Sequence, residues 1–498
     1  MNNAKKTMLS RPSRTKIVAT VGPASNNEEM LPKLIYAGVD VFRINAAHGT
    51  QEEFDATVKR IRSASEKTGL PVGILMDLGG PKIRLGKLPN DELTLEKGES
   101  VVFVAMPFVE KACNCAEIAD MPKVTCTYEP LVNELEVGDR IVLADGSVEL
   151  CVTATSANPD EWARCEILEG GTVRSRQGVN LPGVKLSIPA MLEIDRSNAA
   201  WAAKNGVDFL GLSFVRKASE IRDLKELIAE NDGVTQVIAK IEKPEAMENL
   251  DEILAESDAV MVARGDLGVE TDIAQVAVLQ KEIIEKCRAS RKPVIVATQM
   301  LESMIHNNLP TRAEVSDVTN AIFDGTDACM LSGESAVGDF PVETVEMMHR
   351  IALGTEEAKS GVEKLKIIAM PKSTDSENEI QEALASSVCD LAEMLSAKYI
   401  VTVTESGNSA LSLSANRCDA RILALSHSPE TLHRMCLMWG VIPMQIAEGR
   451  KSAEDIMRET IQTLRSEELV SVGDRLVLYT DSSVETAHNA IVVYEVEK

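Results

Sequence analysis

Long apolar runs are missing from this 498-residue sequence. None approaches the ~20 consecutive apolar residues that a transmembrane helix needs. Residues 1–16 are polar and basic and lack the apolar core of a secretory signal peptide. We therefore predict a cytoplasmic protein that has no membrane partner.

Positive charge is also scarce. The chain has 52 Lys and Arg against 77 Asp and Glu, a formal net charge of −25. A nucleic-acid surface needs clustered Lys and Arg, so we predict no nucleic-acid partner. An anionic substrate would have to be met by a few local cations or by metal ions, against a repulsive net charge.

Paired cysteine motifs are absent as well. There are ten cysteines, five of them between Cys113 and Cys165, and none has the CxxC spacing of a structural zinc site. Because thiols stay reduced in the cytosol, we interpret these residues as buried free thiols.

What the sequence does contain is a regular alternation of short β-rich runs and helical patterns. The chain is too long for one hydrophobic core, so several domains are expected. Eight strands that alternate with helices predict an α/β fold built on a (β/α)8 TIM barrel. The predicted strands lie at residues 16–22, 39–45, 72–78, 209–215, 236–242, 259–265, 293–299 and 328–333.

The alternation breaks at two places. Residues 86–185 are rich in Val, Thr and Glu with frequent turn signals, which predicts an inserted small all-β domain, a β-barrel placed to act as a lid. Residues 355–498 predict a C-terminal open α/β domain for oligomerisation or regulation. The barrel would then comprise residues 1–85 and 186–354.

Polar residues stand at the ends of most of the predicted barrel strands. In this fold such side chains point into the active site. One polar strand end would mean little, but seven neighbouring strands share the feature. The residues are Arg43 and Asn45, Asp77, Ser213, Lys240 and Glu242, Arg264 and Asp266, Thr298, and Ser332.

Two of these strand ends suggest a metal site. Glu242 and Asp266 supply carboxylates from neighbouring strands, and two carboxylates with open positions suit Mg²⁺ or Mn²⁺. Lys240 and Glu242 lie two apart, so they project to the same side of their strand. The alternative is an ion pair in the barrel core, and the nearby Asp266 favours the metal site.

Other groups in this region suit an anion. The segment Gly265–Gly268 looks like a strand-to-helix turn, whose backbone N–H groups bind anions, although a plain tight turn is the alternative. Thr298 could add a hydroxyl, and Arg43 and Lys240 supply cations for a phosphoryl group. The residues alone thus indicate a small substrate with a phosphate, a carboxylate and a divalent metal.

The chain also carries a series of motifs that resembles the pyruvate kinase family. In order they are KIVATVGPAS, VFRINAAHG, MDLGGPKIR, GVNLPG, AKIE, MVARGDLGVE, VIVATQMLESM, PTRAEVSDVTNAIFDGTDACMLSGES and VTESGNSA. They follow the family's order over nearly the whole chain, and the stretch from MVARGDLGVE through PTRAEVSDV is highly specific. The predicted domain arrangement is similar to that of this family.

The resemblance implies a phosphotransferase that converts phosphoenolpyruvate and ADP into pyruvate and ATP, the last step of glycolysis. It implies Mg²⁺ or Mn²⁺ as cofactor, a second Mg²⁺ with the nucleotide, and a homotetramer. By the same resemblance, Glu242 and Asp266 bind the metal, Lys240 neutralises charge and Arg43 binds the phosphate. Thr298 and the amides of Gly265 and Asp266 are implied to bind the substrate carboxylate, and the enolate is implied to take its proton through Thr298 or water near it and Ser332. The residues implied to bind the nucleotide are Pro23, Asn45, His48 and Arg84.

One departure from the family concerns a monovalent cation. Many members need K⁺, bound by oxygens at the positions of Asn45, Ala47, Asp77 and Leu78, and Ala47 has no side-chain oxygen. The glutamate that accompanies K⁺ dependence is Lys82 in this chain. The family's lysine-bearing members imply that Lys82 replaces the ion, so that K⁺ is not required. A solvated loop lysine is the alternative.

Other departures concern ADP and effectors. Gln177 stands where the family has a lysine, which removes a cation from the nucleotide side unless Arg174 or Arg176 compensates. The segment 406–409 resembles the family's effector loop, but Glu405 and the acidic segment 481–486 would repel a sugar bisphosphate. We therefore predict a monophosphate effector or none.

Two other functions remain open from the sequence. One is a metal-dependent lyase or aldolase on a related phosphoenolpyruvate/pyruvate barrel, which would not need the lid or the nucleotide side. The other is a non-catalytic regulatory paralogue, suggested by Ala47 and Gln177. The GVNLPG and PTRAEVSDV segments favour the kinase.

Overall fold

The computed structural model describes residues 13–112, 115–158, 161–359, 376–446, 453–480 and 490–497. Cys113 and the acidic segment 481–486 lie outside the described residues. Strands and helices are numbered along the chain.

The strands are short. They are β1 (Lys16–Thr20), β2 (Val41–Asn45), β3 (Gly73–Asp77), β4 (Glu92–Leu95), β5 (Ser100–Val104), β6 (Lys123–Val124), β7 (Arg140–Leu143), β8 (Val148–Thr155), β9 (Trp162–Glu169), β10 (Gly171–Arg174), β11 (Val179–Asn180), β12 (Phe209–Leu212), β13 (Gln236–Ile241), β14 (Ala259–Ala263), β15 (Val294–Ala297), β16 (Ala328–Leu331), β17 (Tyr399–Val403), β18 (Arg421–Ser426), β19 (Val441–Gln445), β20 (Arg475–Thr480) and β21 (Ala490–Glu495).

Helices follow most of the strands. They are α1 (Met30–Ala37), α2 (Gln51–Thr68), α3 (Val109–Ala112), α4 (Leu131–Glu134), α5 (Glu193–Lys204), α6 (Ala218–Glu230), α7 (Pro244–Glu248), α8 (Leu250–Glu256), α9 (Arg264–Glu270), α10 (Val276–Ala289), α11 (Arg312–Asp324), α12 (Gly333–Ala336), α13 (Pro341–Lys359), α14 (Ser376–Met394), α15 (Asn408–Ala415), α16 (Pro429–Met435) and α17 (Ala453–Ser466).

Eight parallel strands close into a barrel in the order β1-β16-β15-β14-β13-β12-β3-β2. Every residue of β1, β3 and β14 is buried, because strands of a parallel barrel are covered on both faces and read as continuous apolar runs. The closed barrel confirms the predicted fold class. The strand ends meet at one rim, and this brings their polar residues together.

The inserted segment leaves the barrel after β3 and returns at β12, and these two strands pair directly, with Gly211 opposite Asp77. It forms a six-stranded sheet, β11-β7-β8-β9-β5-β6, and a pair of strands, β10-β4. Phe103 and Leu150 belong to its own apolar core. The segment is mostly β, with the short helices α3 and α4.

The C-terminal region forms a five-stranded sheet in the order β19-β18-β17-β20-β21, in which only β21 is antiparallel to its neighbour. It closes the amino end of the barrel. Leu437 packs with the side chains that fill the barrel interior, and Lys16 Nζ donates to the Val441 carbonyl at 2.7 Å. The C-terminal region therefore does not cover the other end of the barrel, where the polar residues at the strand ends meet.

Among the helices described here, none combines the length and the apolar character needed to cross a bilayer.

Candidate active site

A cavity opens at the carboxyl ends of the barrel strands, the end at which this fold carries active sites. The apolar side chains of Met261 and Met330 contribute to its lining. The sequence-predicted residues that line it are Arg43, Asn45, Asp77, Lys82, Lys240, Glu242, Asp266, Thr298 and Ser332. Gly265, Pro23, His48 and Arg84 do not line it.

Lys240 is the centre of the charged network in this cavity. Its Nζ donates to Ser213 Oγ at 2.7 Å and lies 3.1 Å from Asp77 Oδ2 and 2.9 Å from Glu242 Oε1. Burial alone would lower the pKa of Lys240, but the Asp77 and Glu242 carboxylates outweigh burial and hold it above its usual range. The lysine is therefore a fixed positive charge and a poor proton donor.

Asp77 is a third carboxylate of the site, beside the two that the sequence pairs as metal ligands. Arg43 Nε donates to Asp77 Oδ2 at 2.9 Å, and Arg43 Nη1 donates to Thr20 Oγ1 at 3.2 Å. Burial alone would raise the pKa of Asp77, but Lys240 and Arg43 hold it below its ordinary value. Asp77 thus orients both cations of the cavity.

Glu242 fits a metal ligand. Burial raises the pKa of its carboxyl group and Asp266 adds to the rise, although Lys240 opposes it. Its Oε2 accepts from the Phe214 N–H at 2.7 Å. Its Oε1 forms an ion pair with Lys240 Nζ at 2.9 Å and has no other donor in the described part of the chain.

The donor set limits how a metal would be bound. Within the described ranges, no group of three or more His, Cys, Asp and Glu side chains is arranged to hold a metal ion. A divalent cation at Glu242 and Asp266 would therefore take further ligands from substrate and water, as Mg²⁺ usually does. The two carboxylates, which both line the cavity, fit such an ion.

Thr298 adopts an uncommon backbone conformation directly after β15, with φ of +71°. Its Oγ1 donates to the Ala297 carbonyl at 2.6 Å and accepts from the Gly265 N–H at 2.8 Å. The Gly265 amide that the sequence assigns to a substrate carboxylate is thus engaged by Thr298 in this conformation.

Arg264 holds this turn rather than facing the substrate. Its Nη2 donates to the Thr298 carbonyl at 2.8 Å and its Nη1 donates to Asp317 Oδ1 at 2.8 Å. The strained Thr298 backbone is stabilised by these bonds, as expected for strain at a functional site.

Ser332 brings an unpaired hydroxyl to the cavity. Its Oγ is buried and has no hydrogen-bond partner among the described residues. Its N–H donates to Glu334 Oε2 at 2.7 Å, and the Leu301 N–H donates to Glu334 Oε1 at 3.1 Å. Glu334, whose pKa is raised by burial, thus ties the ends of β15 and β16 together.

Comparison with known protein families decides the assignment. Residues 12–345 match the model described as pyruvate kinase, barrel domain, and residues 382–494 match pyruvate kinase, alpha/beta domain. The chain belongs to the pyruvate kinase family. As a member of that family it is a phosphotransferase.

Individual pyruvate kinases are similar over most of the chain. The enzyme of Staphylococcus haemolyticus (strain JCSC1435) is 41% identical over 466 residues, which cover 93% of this chain and 77% of the relative. That of Geobacillus stearothermophilus is 40% identical over 467 residues with the same coverage. A solved pyruvate kinase structure from Cryptosporidium parvum has a TM-score of 0.86 and 32% identity, covering 98% of this chain and 97% of that one.

The positions that pyruvate kinase motifs place near the nucleotide are more open. Pro23 and His48 are exposed. Arg84 lines an adjoining cavity of about 290 Å³ between the inserted segment and the barrel, and its Nη1 donates to the Arg176 carbonyl at 3.1 Å. Gln177 Oε1 accepts from a backbone N–H of its own turn, so it supplies no charge.

Lys82 lines both cavities and is exposed. Its side chain makes no hydrogen bond or ion pair with the residues that the structure describes. Ala47 lines the active-site cavity too, and the Asn45 Oδ1 accepts from the Ala47 N–H at 3.2 Å. The residues expected to form a pyruvate kinase monovalent-cation site are therefore gathered with Lys82.

Several contacts of the site were not predicted from sequence. The sequence places Ser213 at a predicted strand end but gives it no role. In the structure its Oγ accepts a hydrogen bond from Lys240 Nζ. Lys243 Nζ lies 2.8 Å from Glu270 Oε1, to which Asn180 of β11 also donates at 3.2 Å. The only sequence signal for the Lys243 contact is its position directly after Glu242.

Proposed function

We propose that this protein catalyses phosphoryl transfer from phosphoenolpyruvate to ADP, giving pyruvate and ATP as the last step of glycolysis. The observation that carries the proposal is one cavity, in a chain of this family, that is lined by Arg43, Lys240, Glu242, Asp266 and Thr298. Phosphoryl transfer depends on alignment and charge neutralisation more than on covalent help, and these residues supply both.

The proposed metal ligands are Glu242 and Asp266, and a second Mg²⁺ would accompany the nucleotide. A bound Mg²⁺ or Mn²⁺ supplies charge neutralisation between the substrate oxygens. The support is the raised pKa of Glu242, a buried carboxyl group near a second carboxylate. That arrangement favours a cation between the two groups.

The cationic side chains have separate tasks in this proposal. Arg43 binds the phosphate, with its guanidinium oriented by Asp77. Lys240 neutralises charge on the moving phosphoryl group and on the enolate, since Asp77 and Glu242 keep it protonated. Thr298 and the amides of Gly265 and Asp266 hold the carboxylate, which would require the Gly265 N–H to leave Thr298.

The enolate must then take a proton at its CH₂ carbon. The Thr298 proton is engaged by the Ala297 carbonyl, whereas the Ser332 hydroxyl has no partner in the described part of the chain. We propose that the proton arrives through Thr298 or water held near Thr298 and Ser332. Lys240 is the weaker donor because its facing carboxylates stabilise its charged form.

We also propose that K⁺ is not required. Lys82 lines the cavity with Asn45 and Asp77, and its ammonium carries the same unit charge as K⁺. It is tethered, so no ion has to be recruited from solution. The missing oxygen at Ala47 makes a K⁺ cage less favourable in this chain.

The division into domains remains part of the proposal. We propose a barrel domain of residues 1–85 and 186–354, a lid of residues 86–185, and a C-terminal domain of residues 355–498. We further propose cytoplasmic homotetramers with contacts between C-terminal domains. An effector, if one binds there, would be a monophosphate.

A coupled assay of pyruvate formation tests the activity. Turnover that requires phosphoenolpyruvate, ADP and Mg²⁺ together is the expected result. Pyruvate formation without ADP would instead favour a lyase or aldolase. A folded protein that binds Mn²⁺ and phosphoenolpyruvate without turnover would be a regulatory paralogue.

A further inference from the structure

A positively charged cleft lies at the amino end of the barrel, opposite the active site. We call it the interdomain cleft, because its walls come from the segments before β15 and β16 and from the end of α15 in the C-terminal sheet region. Its charged lining is Arg288, Arg291, Lys292 and Arg417, with Asp327 as the lone carboxylate among the described lining residues.

Arg417 is only partly satisfied in the interdomain cleft. Its Nη2 donates to the Gly325 carbonyl at 2.9 Å and lies 2.9 Å from Asp327 Oδ1. Its Nε and Nη1 are buried and have no hydrogen-bond partner in the described ranges. The guanidinium lies over Trp439, 4.9 Å from the ring centroid, which fixes its plane. Two donors of a held cation are thus left unpaired.

Arg288 approaches the same point from the barrel. Gly325 has a φ of +102°, and a Cβ there would lie 2.9 Å from Arg288 Cδ, so the glycine leaves room for the arginine. Arg288 Nε is buried and lacks a partner among the described residues. Burial lowers the pKa of Arg288 and the Arg417 charge lowers it further, while the Asp327 and Glu285 carboxylates oppose the fall without cancelling it. Two cations from different domains therefore converge with incomplete compensation.

The other two cations of the cleft have protein partners. Arg291 Nη1 lies 2.5 Å from Glu382 Oε1, and Lys292 Nζ donates to the Ser257 carbonyl at 2.7 Å. The second oxygen of Asp327 accepts from the Val294 N–H at 2.9 Å. Asp327 therefore has one oxygen left for Arg417.

Buried guanidinium donors without acceptors cost free energy, and charge-assisted bonds to a phosphate remove that cost. We propose that the interdomain cleft binds a tetrahedral oxyanion, free phosphate or the phosphate group of an ester, through Arg288 and Arg417. The enclosed space is about 10 Å³, so one oxygen enters between the arginines and the rest of the anion points outward.

Such an anion would link the barrel to the C-terminal sheet region, because each supplies one arginine. Ligand binding to the folded state raises its stability, by an amount that grows with the logarithm of ligand concentration above Kd. The cleft lies away from the residues assigned to catalysis, so the site does not depend on the proposed activity.

Titration calorimetry with inorganic phosphate tests the site. Arg288→Gln should weaken phosphate binding by about tenfold or more, on the scale of one lost charge-assisted contact. Arg417→Lys keeps the charge but loses the planar donors, and it should weaken binding too. Arg140→Gln is the matched control, because Arg140 pairs with Glu149 on the exposed surface of the inserted segment and does not line the cleft.

The outcomes are distinct. Loss of one phosphate site in both cleft variants, with Arg140→Gln like the wild type, supports the proposal. Wild-type phosphate affinity in a folded Arg288→Gln protein overturns it. A parallel titration with glycerol 3-phosphate separates the sources, since tighter binding of the ester indicates a phosphate ester and equal or weaker binding indicates the free anion. Turnover without phosphate should stay within about twofold in Arg288→Gln.

Discussion

The two ends of the barrel hold opposite excesses of charge. In the active-site cavity, three carboxylates, Asp77, Glu242 and Asp266, face the cations Arg43 and Lys240, and the third lining cation, Lys82, is exposed. Carboxylates hold the pKa of Lys240 above its usual range, while burial and a neighbouring carboxylate raise that of Glu242. The less exposed part of the cavity, away from Lys82, is therefore short of positive charge, and a divalent cation would supply it.

The interdomain cleft shows the reverse. Burial and the neighbouring Arg417 lower the pKa of Arg288, and the opposing Asp327 and Glu285 carboxylates do not cancel the fall. The comparison teaches that uncompensated charge in a buried site indicates the sign of the missing ligand. One end favours a metal ion and the other an oxyanion.

Removing a carboxylate from the active-site cavity should have the largest effect, a loss of turnover. Glu242→Gln or Asp266→Asn should reduce turnover by roughly 3 kcal/mol or more in transition-state free energy, the scale of a lost preorganised charge contact. Steady-state kinetics and Mn²⁺ titration measure it. Glu248→Gln, an exposed change on α7, is the control. Near-normal turnover in both variants would contradict the assignment of Glu242 and Asp266 as metal ligands.

Removing the central cation tests the same network from the other side. Lys240→Met should lower kcat more than it changes KM, because its charge is assigned to the transition state. It should also leave Glu242 without its cationic partner, while Asp77 keeps Arg43, so we expect a loss of roughly 3 kcal/mol in unfolding free energy in metal-free buffer. Urea unfolding with and without Mn²⁺ measures it. An effect confined to KM would contradict the assigned role.

The fold was predictable because parallel barrel strands are covered on both faces. Each strand therefore appears in the sequence as a run of apolar residues, as in GILMD of β3, and the polar residue that ends the run lies at the carboxyl end of the barrel. The predicted strand-end residues line one cavity for this reason. The family motifs added roles that periodicity does not supply.

Contacts between distant segments were not predictable. Ser213 reaches Lys240 only because β12 and β13 are neighbours, and nothing local distinguishes this serine from a loop residue. Arg288 and Arg417 lie in different domains, so their meeting depends on how the C-terminal region docks. Such pairs need the three-dimensional arrangement.

Removing the negative charge of Asp327 in the interdomain cleft should have a smaller effect, on phosphate affinity. Asp327→Asn keeps an acceptor for the Val294 N–H but removes the charge beside Arg417. Phosphate affinity should rise about fivefold, near 1 kcal/mol, the interaction of two unit charges about 4 Å apart at a solvent-like dielectric of about 80. Calorimetry measures it, with Asp324→Asn as the control, since Asp324 pairs with Lys281 outside the cleft. Unchanged or weaker phosphate binding would contradict the charge argument.

The smallest expected effect decides whether Lys82 counts among the cations of the cavity. Activity in Na⁺-free and K⁺-free buffer should be at least about half that in saturating K⁺, a barrier difference below ~0.5 kcal/mol. The reason is that the Lys82 ammonium lines the cavity with Asn45 and Asp77 and offers three donors to their oxygens.

Variants at this position sharpen the same test. Lys82→Glu should lower activity and make it respond to K⁺, incompletely while Ala47 lacks an oxygen, and adding Ala47→Ser should improve the response. Lys87→Glu makes the same charge change at an exposed position a few residues along the chain, and it should leave K⁺ dependence unchanged. A wild-type protein that is nearly inactive without K⁺ would show that Lys82 is a solvated loop lysine, because a tethered ammonium in the cavity leaves no charge for the ion to supply.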